Sequence, residues 1–172
     1  MSCIHPVVFR QELTLGQMFR SWYMFFYQIP LLPEFVLQSK DFDLFEKIFR
    51  SKAGGLANKD LFTDDDMEAV KYTFSQSGTM KAAINYYRAL FQYQSDFSRT
   101  EVSAPVLVLW GNQDMTLGEE MIDATQKYCG DIRIRKIANA SHWLNQDVPD
   151  IVNKYMEIFF KENQQIEQHL EF

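Results

Sequence analysis

The sequence predicts an α/β protein in two layers, a helical one followed by one of alternating strands and helices, and three observations carry that reading. Up to residue 100, apolar residues recur at helical spacing and no strand pattern stands out. Beyond Pro105, strand and helix patterns alternate. The two strand patterns, Val106–Trp110 and Ile132–Ile137, flank a helix-length stretch, as in a right-handed crossover that sets two parallel strand ends side by side.

In the first layer, Leu15–Gln28 reads as a helix stopped by Pro30. The apolar, aromatic segment Trp22–Leu32 is interrupted by Gln28 and Pro30, which suits a buried or pocket-lining helix end. Asp41–Ser51 reads as a second helix, with Phe42, Phe45, Ile48 and Phe49 on one side. Residues 52–61, with Gly54-Gly55, form a loop. Thr63 is placed to cap a third helix, whose first turn carries Asp64, Asp65 and Asp66 where exposed amides favour acids, and Gly78 closes it. Thr79–Gln92 is the fourth helix.

In the second layer, Val106–Trp110 is a continuous apolar run, as expected of a parallel strand covered on both faces. Glu119–Tyr128 is a helix ended by Gly130, and Ile132–Ile137 is the next strand. Pro149 opens a final helix whose apolar face combines Ile151, Val152, Tyr155, Met156, Phe159 and Phe160. The polar tail from Glu162 to Phe172 is expected to fray.

Composition narrows the function classes. At 172 residues, 47% hydrophobic and 23% charged, the chain has the make-up of one folded domain. A net charge of −6 without a basic cluster argues against a nucleic-acid partner. Cys3 and Cys129 stand far apart without ligand spacing, so neither a disulfide framework nor a zinc site is indicated and a reducing, cytosol-facing environment is expected. No run reaches the roughly 18 apolar residues of a membrane-spanning helix, and the first residues lack a signal-peptide pattern.

The chemistry gathers at the strand ends. Asp114 follows Leu109-Trp110-Gly111, and His142 follows the second strand in Ala140-Ser141-His142-Trp143. Alone, the first is a turn composition and the second a helix-capping pair. Together, an acid and a histidine just beyond the carboxyl ends of parallel strands are two members of a nucleophile, base and orienter triad. From spacing alone, Tyr23 and Tyr87 read as core aromatics with satisfied hydroxyls.

Taken together, His5-Pro6, Ser21-Trp22-Tyr23-Met24-Phe25-Phe26, Leu32-Pro33-Glu34, Asn85-Tyr86-Tyr87-Arg88, Leu109-Trp110-Gly111-x-x-Asp114, Ala140-Ser141-His142-Trp143 and Pro149-Asp150-x-Val152-Asn153 resemble the α/β-hydrolase-fold epoxide hydrolases, in the epoxide hydrolase 4 branch. The resemblance runs from Met1 to about Glu162. It implies an incomplete α/β-hydrolase fold: residues 1–14 ending a core strand and leading into a helical cap, 15–100 the cap, 101–162 the last two core strands with their helices, and 163–172 a polar tail.

By the same resemblance, Tyr23 and Tyr87 donate to the epoxide oxygen, with Trp22 and Trp143 beside them as substrate-binding residues, His142 is the general base and Asp114 its orienter. The implied reaction turns epoxides, lipid epoxides among them, into vicinal diols through an alkyl-enzyme ester. It calls for no metal or organic cofactor. The family's His-Gly-x-Pro loop and its Asp-Trp-Gly nucleophile turn do not occur in the sequence, so the chain is expected to be a fragment, truncated isoform or incomplete gene product, inactive alone and prone to self-associate through an exposed sheet edge. The alternative is a non-catalytic isoform that binds or regulates the full-length enzyme. A haloalkane dehalogenase fits less well, because Tyr87 stands where halide donors are Trp or Asn, and a serine esterase lacks its Gly-x-Ser-x-Gly elbow. The expected location is the cytoplasm or the cytosolic face of the endoplasmic reticulum membrane, since relatives in that branch carry a membrane anchor.

Overall fold

The computed structural model describes residues 14–52, 54–92 and 101–170, with side chains to residue 164. The expectations placed on His5-Pro6, on Cys3 and on residues 1–13 lie outside the described residues.

The helical part begins with α1 (Leu15–Arg20) and α2 (Trp22–Phe26), where one helix was expected. The break falls at Ser21, whose φ of −92° and ψ of 17° leave the helical region. Its side chain turns inward to the buried Gln17 amide, a local bond that competes with helix continuation. Next, α3 (Leu32–Arg50) starts ten residues or so ahead of the expected Asp41 and is kinked. Lys40, Asp41 and Phe42 all adopt left-handed backbone conformations at its centre, φ 50°, 54° and 58°, and separate two helical arms. Such residues cost about 1–2 kcal/mol each, so the surroundings must hold them there. Phe42 stacks on Phe45 at 5.9 Å, and Lys71 reaches the Asp41 carboxylate at 3.3 Å from the neighbouring helix.

A short 3₁₀ turn at Lys59–Leu61 leads to α4 (Asp64–Ser75). Its start is a reciprocal capping box: the Asp66 N–H donates to Thr63 Oγ1 at 3.2 Å, and the Thr63 N–H donates to Asp66 Oδ2 at 2.8 Å. Gly78, at φ +84°, makes the left-handed turn into α5 (Thr79–Gln92). These helices close on one core, in which Leu37, Phe45, Phe62, Met67, Met80 and Ile84 are all buried.

The second part contains β1 (Val106–Gly111), α6 (Glu120–Gln126), β2 (Ile132–Ile137), the unpredicted short helix α7 (Leu144–Asp147) and α8 (Pro149–Leu170). The strands pair in parallel, Val106 with Ile132 through to Gly111 with Ile137. Trp110, Leu117, Met121 and Ile122 pack a second core beneath them. Among the described residues the sheet has these two strands, and β1 is half-buried from Val106 to Leu109 instead of enclosed on both faces.

The final helix also departs from expectation. It runs on to Leu170, past Glu162 where fraying was expected, because no glycine or proline interrupts it. Glu162 pairs with Arg133 of β2, and Arg133 lies 5.4 Å over the Phe159 ring. Its apolar face is narrower than the sequence suggested: Val152 is buried, whereas Ile151, Met156 and Phe160 are exposed. Other large apolar side chains, Leu15, Phe19 and Trp22 among them, are exposed on α1 and α2.

Met67 is 1% exposed at the centre of the helical core. Met67→Ala should therefore cost about 2–5 kcal/mol in urea unfolding. Tyr72→Ala, at a side chain 70% exposed on the same helix, should stay within about 0.5 kcal/mol.

Candidate active site

The parallel register brings Gly111 and Ile137, the last residues of β1 and β2, directly alongside each other. The two turns that follow are zipped together. Asn112 N–H donates to Ile137 O at 3.0 Å and Gln113 N–H to Ala140 O at 2.9 Å. Asn139 N–H donates to the Asn112 side chain at 2.9 Å, from a left-handed φ of 56° that asparagine tolerates. Gly111 permits this approach: a Cβ there would overlap the carbonyl oxygens of Ala140 and Ser141. Two turns that are distant in sequence thus become one wall.

Asp114 and His142 meet across that wall, with His142 Nδ1 2.9 Å from Asp114 Oδ2. The other carboxylate oxygen accepts the backbone N–H groups of Thr116 and Leu117, each at 2.8 Å. Those bonds fix the carboxylate plane, and the Asp114 side chain is only 5% exposed. A carboxylate accepts, so the imidazole carries its proton on Nδ1 and keeps the Nε2 lone pair for taking a proton.

The helical part contributes phenols. Tyr23 of α2 and Tyr87 of α5 meet edge to face, ring centroids 5.8 Å apart. Tyr27, one helical turn after Tyr23, completes a cluster at 5.7 Å from Tyr23 and 5.0 Å from Tyr87. Burial drives the Tyr23 phenol well above its ordinary 10.0, with Tyr87, Tyr27 and Asp114 adding to the rise. Burial, followed by Tyr87, pushes Tyr27 up to about 12, and burial alone raises Tyr87. All three are therefore neutral phenols near pH 7, with a proton to donate. Sequence reasoning passed over Tyr27, although its i, i+4 spacing from Tyr23 was available to show it on the same helix face.

Several polar side chains hold this cluster. Arg88 forks onto Glu34, Nη1 to Oε1 at 2.6 Å and Nη2 to Oε2 at 3.1 Å, while its Nε donates to Tyr27 O at 2.9 Å. Gln28 Nε2 donates to Tyr87 O at 3.3 Å. The Arg88 hydrogen bond holds the Glu34 carboxyl below its usual 4.5. Gln17, fully buried on α1, fastens the helical part to the acid's loop: its Nε2 donates to Thr116 O at 3.0 Å, and Gly118 N–H donates to its Oε1 at 2.8 Å. Nothing in the local sequence marks Gln17, because both partners lie about a hundred residues away.

The two tryptophans expected beside the site fare differently. Trp143 adjoins His142, ring centroids 5.4 Å apart, but its indole packs against Phe49 at 4.5 Å in the helical core, with Nε1 buried and without a hydrogen-bond partner among the described residues. Trp22 is 65% exposed and packs on Phe26 at 6.4 Å. Trp22 precedes Tyr23 by one residue on α2, so it stands about a quarter turn round the helix from the face that carries Tyr23 and Tyr27.

No family model matches the chain. Over 162 residues it is 38% identical to epoxide hydrolase 4 of Homo sapiens, a match covering 92% of this chain and 44% of that protein. It is 36% identical over 162 residues to epoxide hydrolase 2 of Caenorhabditis elegans, again 92% of this chain and 46% of that protein. The chain belongs to the α/β-hydrolase-fold epoxide hydrolases. It spans about half the length of the curated relatives it matches. Among solved structures, the Bacillus megaterium epoxide hydrolase in complex with an inhibitor superposes with a TM-score of 0.72 at 22% identity, covering 93% of this chain and 57% of that one. A putative acyltransferase from Salmonella enterica gives 0.76 at 15% identity, covering 94% and 55%. These structural likenesses establish the fold, an α/β-hydrolase architecture matched over about half its extent.

Gly111→Ala should wedge the two turns apart and remove the Asp114–His142 hydrogen bond, seen as loss of the downfield His142 Nδ1 proton by NMR. The Glu34–Arg88 pair makes a second prediction. A carboxyl whose folded value is depressed adds stability that is fully present above its ordinary value of 4.5 and is lost as pH falls through the lower folded value. Acidification below about pH 4.5 should lower the urea midpoint, and Glu34→Gln should remove that part of the fall.

Proposed function

We propose that this chain carries the helical cap, the general base and the base's orienting acid of a hydrolase that opens epoxides to vicinal diols. The observation that carries the proposal is the Asp114–His142 contact at 2.9 Å, with the neutral phenols of Tyr23 and Tyr87 paired on the helical side. Sequence identity to named epoxide hydrolases supports the same reading.

In this reading a carboxylate attacks one epoxide carbon and the ring C–O bond breaks. The phenols of Tyr23 and Tyr87 donate to the alkoxide that develops, and one passes its proton across to make the first hydroxyl, leaving a tyrosinate. The alkyl ester left behind needs an activated water. His142 Nε2 takes a proton from that water, while Asp114 stabilises the imidazolium that results. Hydroxide adds to the ester carbonyl, the tetrahedral adduct collapses with its hydroxyl proton passing to the leaving oxygen as the second hydroxyl, the carboxylate is restored, and the imidazolium proton returns to the tyrosinate.

The attacking carboxylate and its oxyanion loop have no counterpart motif in the 172 residues, so in this reading another polypeptide segment supplies them. Lipid and aryl epoxides are the proposed substrates, since both phenols pack on the Tyr27 ring, which in turn meets Phe26. A reducing setting, the cytosol or the cytosolic face of the endoplasmic reticulum membrane, is proposed from a content of only two cysteines, far apart in the sequence. A second reading draws on the half-buried strand β1: the chain pairs its open sheet edge with another copy or with a longer relative and regulates it without catalysis.

The test joins the chain to the upstream half of a homologous epoxide hydrolase and measures diol formation. Tyr23→Phe with Tyr87→Phe should lower turnover about 100-fold or more. His142→Gln should trap the ester as a mass increase equal to the substrate's. Unchanged turnover in the double tyrosine variant removes the catalytic reading, and a stable complex without turnover favours the regulatory one.

A further inference from the structure

Asp147 is 1% exposed, at the end of the short helix α7, and no ion pair reaches it among the described residues. A buried carboxylate without a cation persists only if hydrogen-bond donors replace its hydration. Three do so here. Ser141 N–H and Ser141 Oγ–H both donate to Oδ2, at 2.7 and 2.6 Å. Asn58 N–H, from the loop between α3 and α4, donates to Oδ1 at 2.9 Å. The Asn58 side chain adds a longer contact to Asp147 O at 3.5 Å, and Ser141 Oγ in turn accepts Trp143 N–H at 3.1 Å.

The two oxygens therefore grip different parts of the molecule. One holds Ser141, the residue before His142, whose hydroxyl in turn accepts from Trp143. The other holds the helical part that carries Tyr23 and Tyr87. We propose that Asp147 is a positioning residue that clasps the phenol-bearing helical part to the histidine loop, so that imidazole and phenols are held in one frame. Its counterpart on the acid side is Gln17, which ties α1 to Thr116 and Gly118 just after Asp114. The clasp acts through Ser141, not by touching the imidazole. Its catalytic meaning rests on the hydrolase reading above, while its physical content is independent of turnover.

Asp147→Asn tests this in the chain itself. An amide keeps one acceptor oxygen and presents an N–H₂ group to donors, so both grips cannot survive. Two NMR readouts are followed: the downfield His142 Nδ1 proton, assigned with His142→Gln, and hydrogen-exchange protection of the Asn58 amide. Both should be lost together, with the Met67 and Ile84 methyl signals unmoved. Retention of the His142 proton in a folded Asp147→Asn protein overturns the proposal, as does its loss while Asn58 stays protected. If Asp147→Asn unfolds the chain, Ser141→Ala decides. That variant deletes one donor on the histidine side only, so it should broaden the His142 proton and leave Asn58 protected, and an unaltered His142 proton there overturns the clasp. An epoxide assay that fails leaves these readouts standing. An active hydrolase whose His142 signal ignores residue 147 removes the clasp and spares the function.

Discussion

The site depends on the close approach of two turns, the one after β1 and the one after β2. Parallel pairing of Gly111 with Ile137 starts it, and backbone bonds from Asn112 and Gln113 continue it past the strand ends. The missing side chain at Gly111 lets carbonyl groups lie where any other residue would place a methyl. Without that contact Asp114 would still be held by Thr116 and Leu117, and His142 by its own loop, but the two would not meet.

Around this contact the chain places buried polar groups at its seams. Gln17 crosses from α1 to the acid loop, and Asp147 with Asn58 crosses from the histidine loop to the helical part. Fully satisfied buried polar groups add little net stability but penalise every arrangement that would leave them unpaired, which makes them suited to fixing relative position. The Arg88–Glu34 fork does the same inside the helical part, bracketing the backbone that presents Tyr27 and Tyr87. The phenols are thereby held in apolar surroundings that keep them protonated.

The family assignment and the fold describe the same object at two resolutions. Identity near 36–38% to epoxide hydrolases gives the kinship, and matches over about half of those proteins give its extent. The half-buried strand β1 fits that extent, since an apolar run of this kind belongs in a sheet with further neighbours.

Much was legible in the sequence because it was written locally. The capping box at Thr63, the strand limits at Ile132 and Ile137 and the helix start at Pro149 each follow from residues within a few positions of one another. The pairing of Asp114 with His142 was legible too, because a strand, helix and strand can be connected in essentially one hand. Other features were not. The break at Ser21, the left-handed turn at residues 40–42 and the continuation of α8 past Glu162 answer to partners on other elements: Gln17, Lys71 and Arg133. Gln17, Tyr27 and Asp147 carry no local mark of their place. Sequence by itself determined which groups could do chemistry and which strand ends would present them. Only tertiary structure decided which buried polar atoms hold those ends to the helices, because a hydrogen bond across a hundred residues is specified by packing and not by neighbours in the chain.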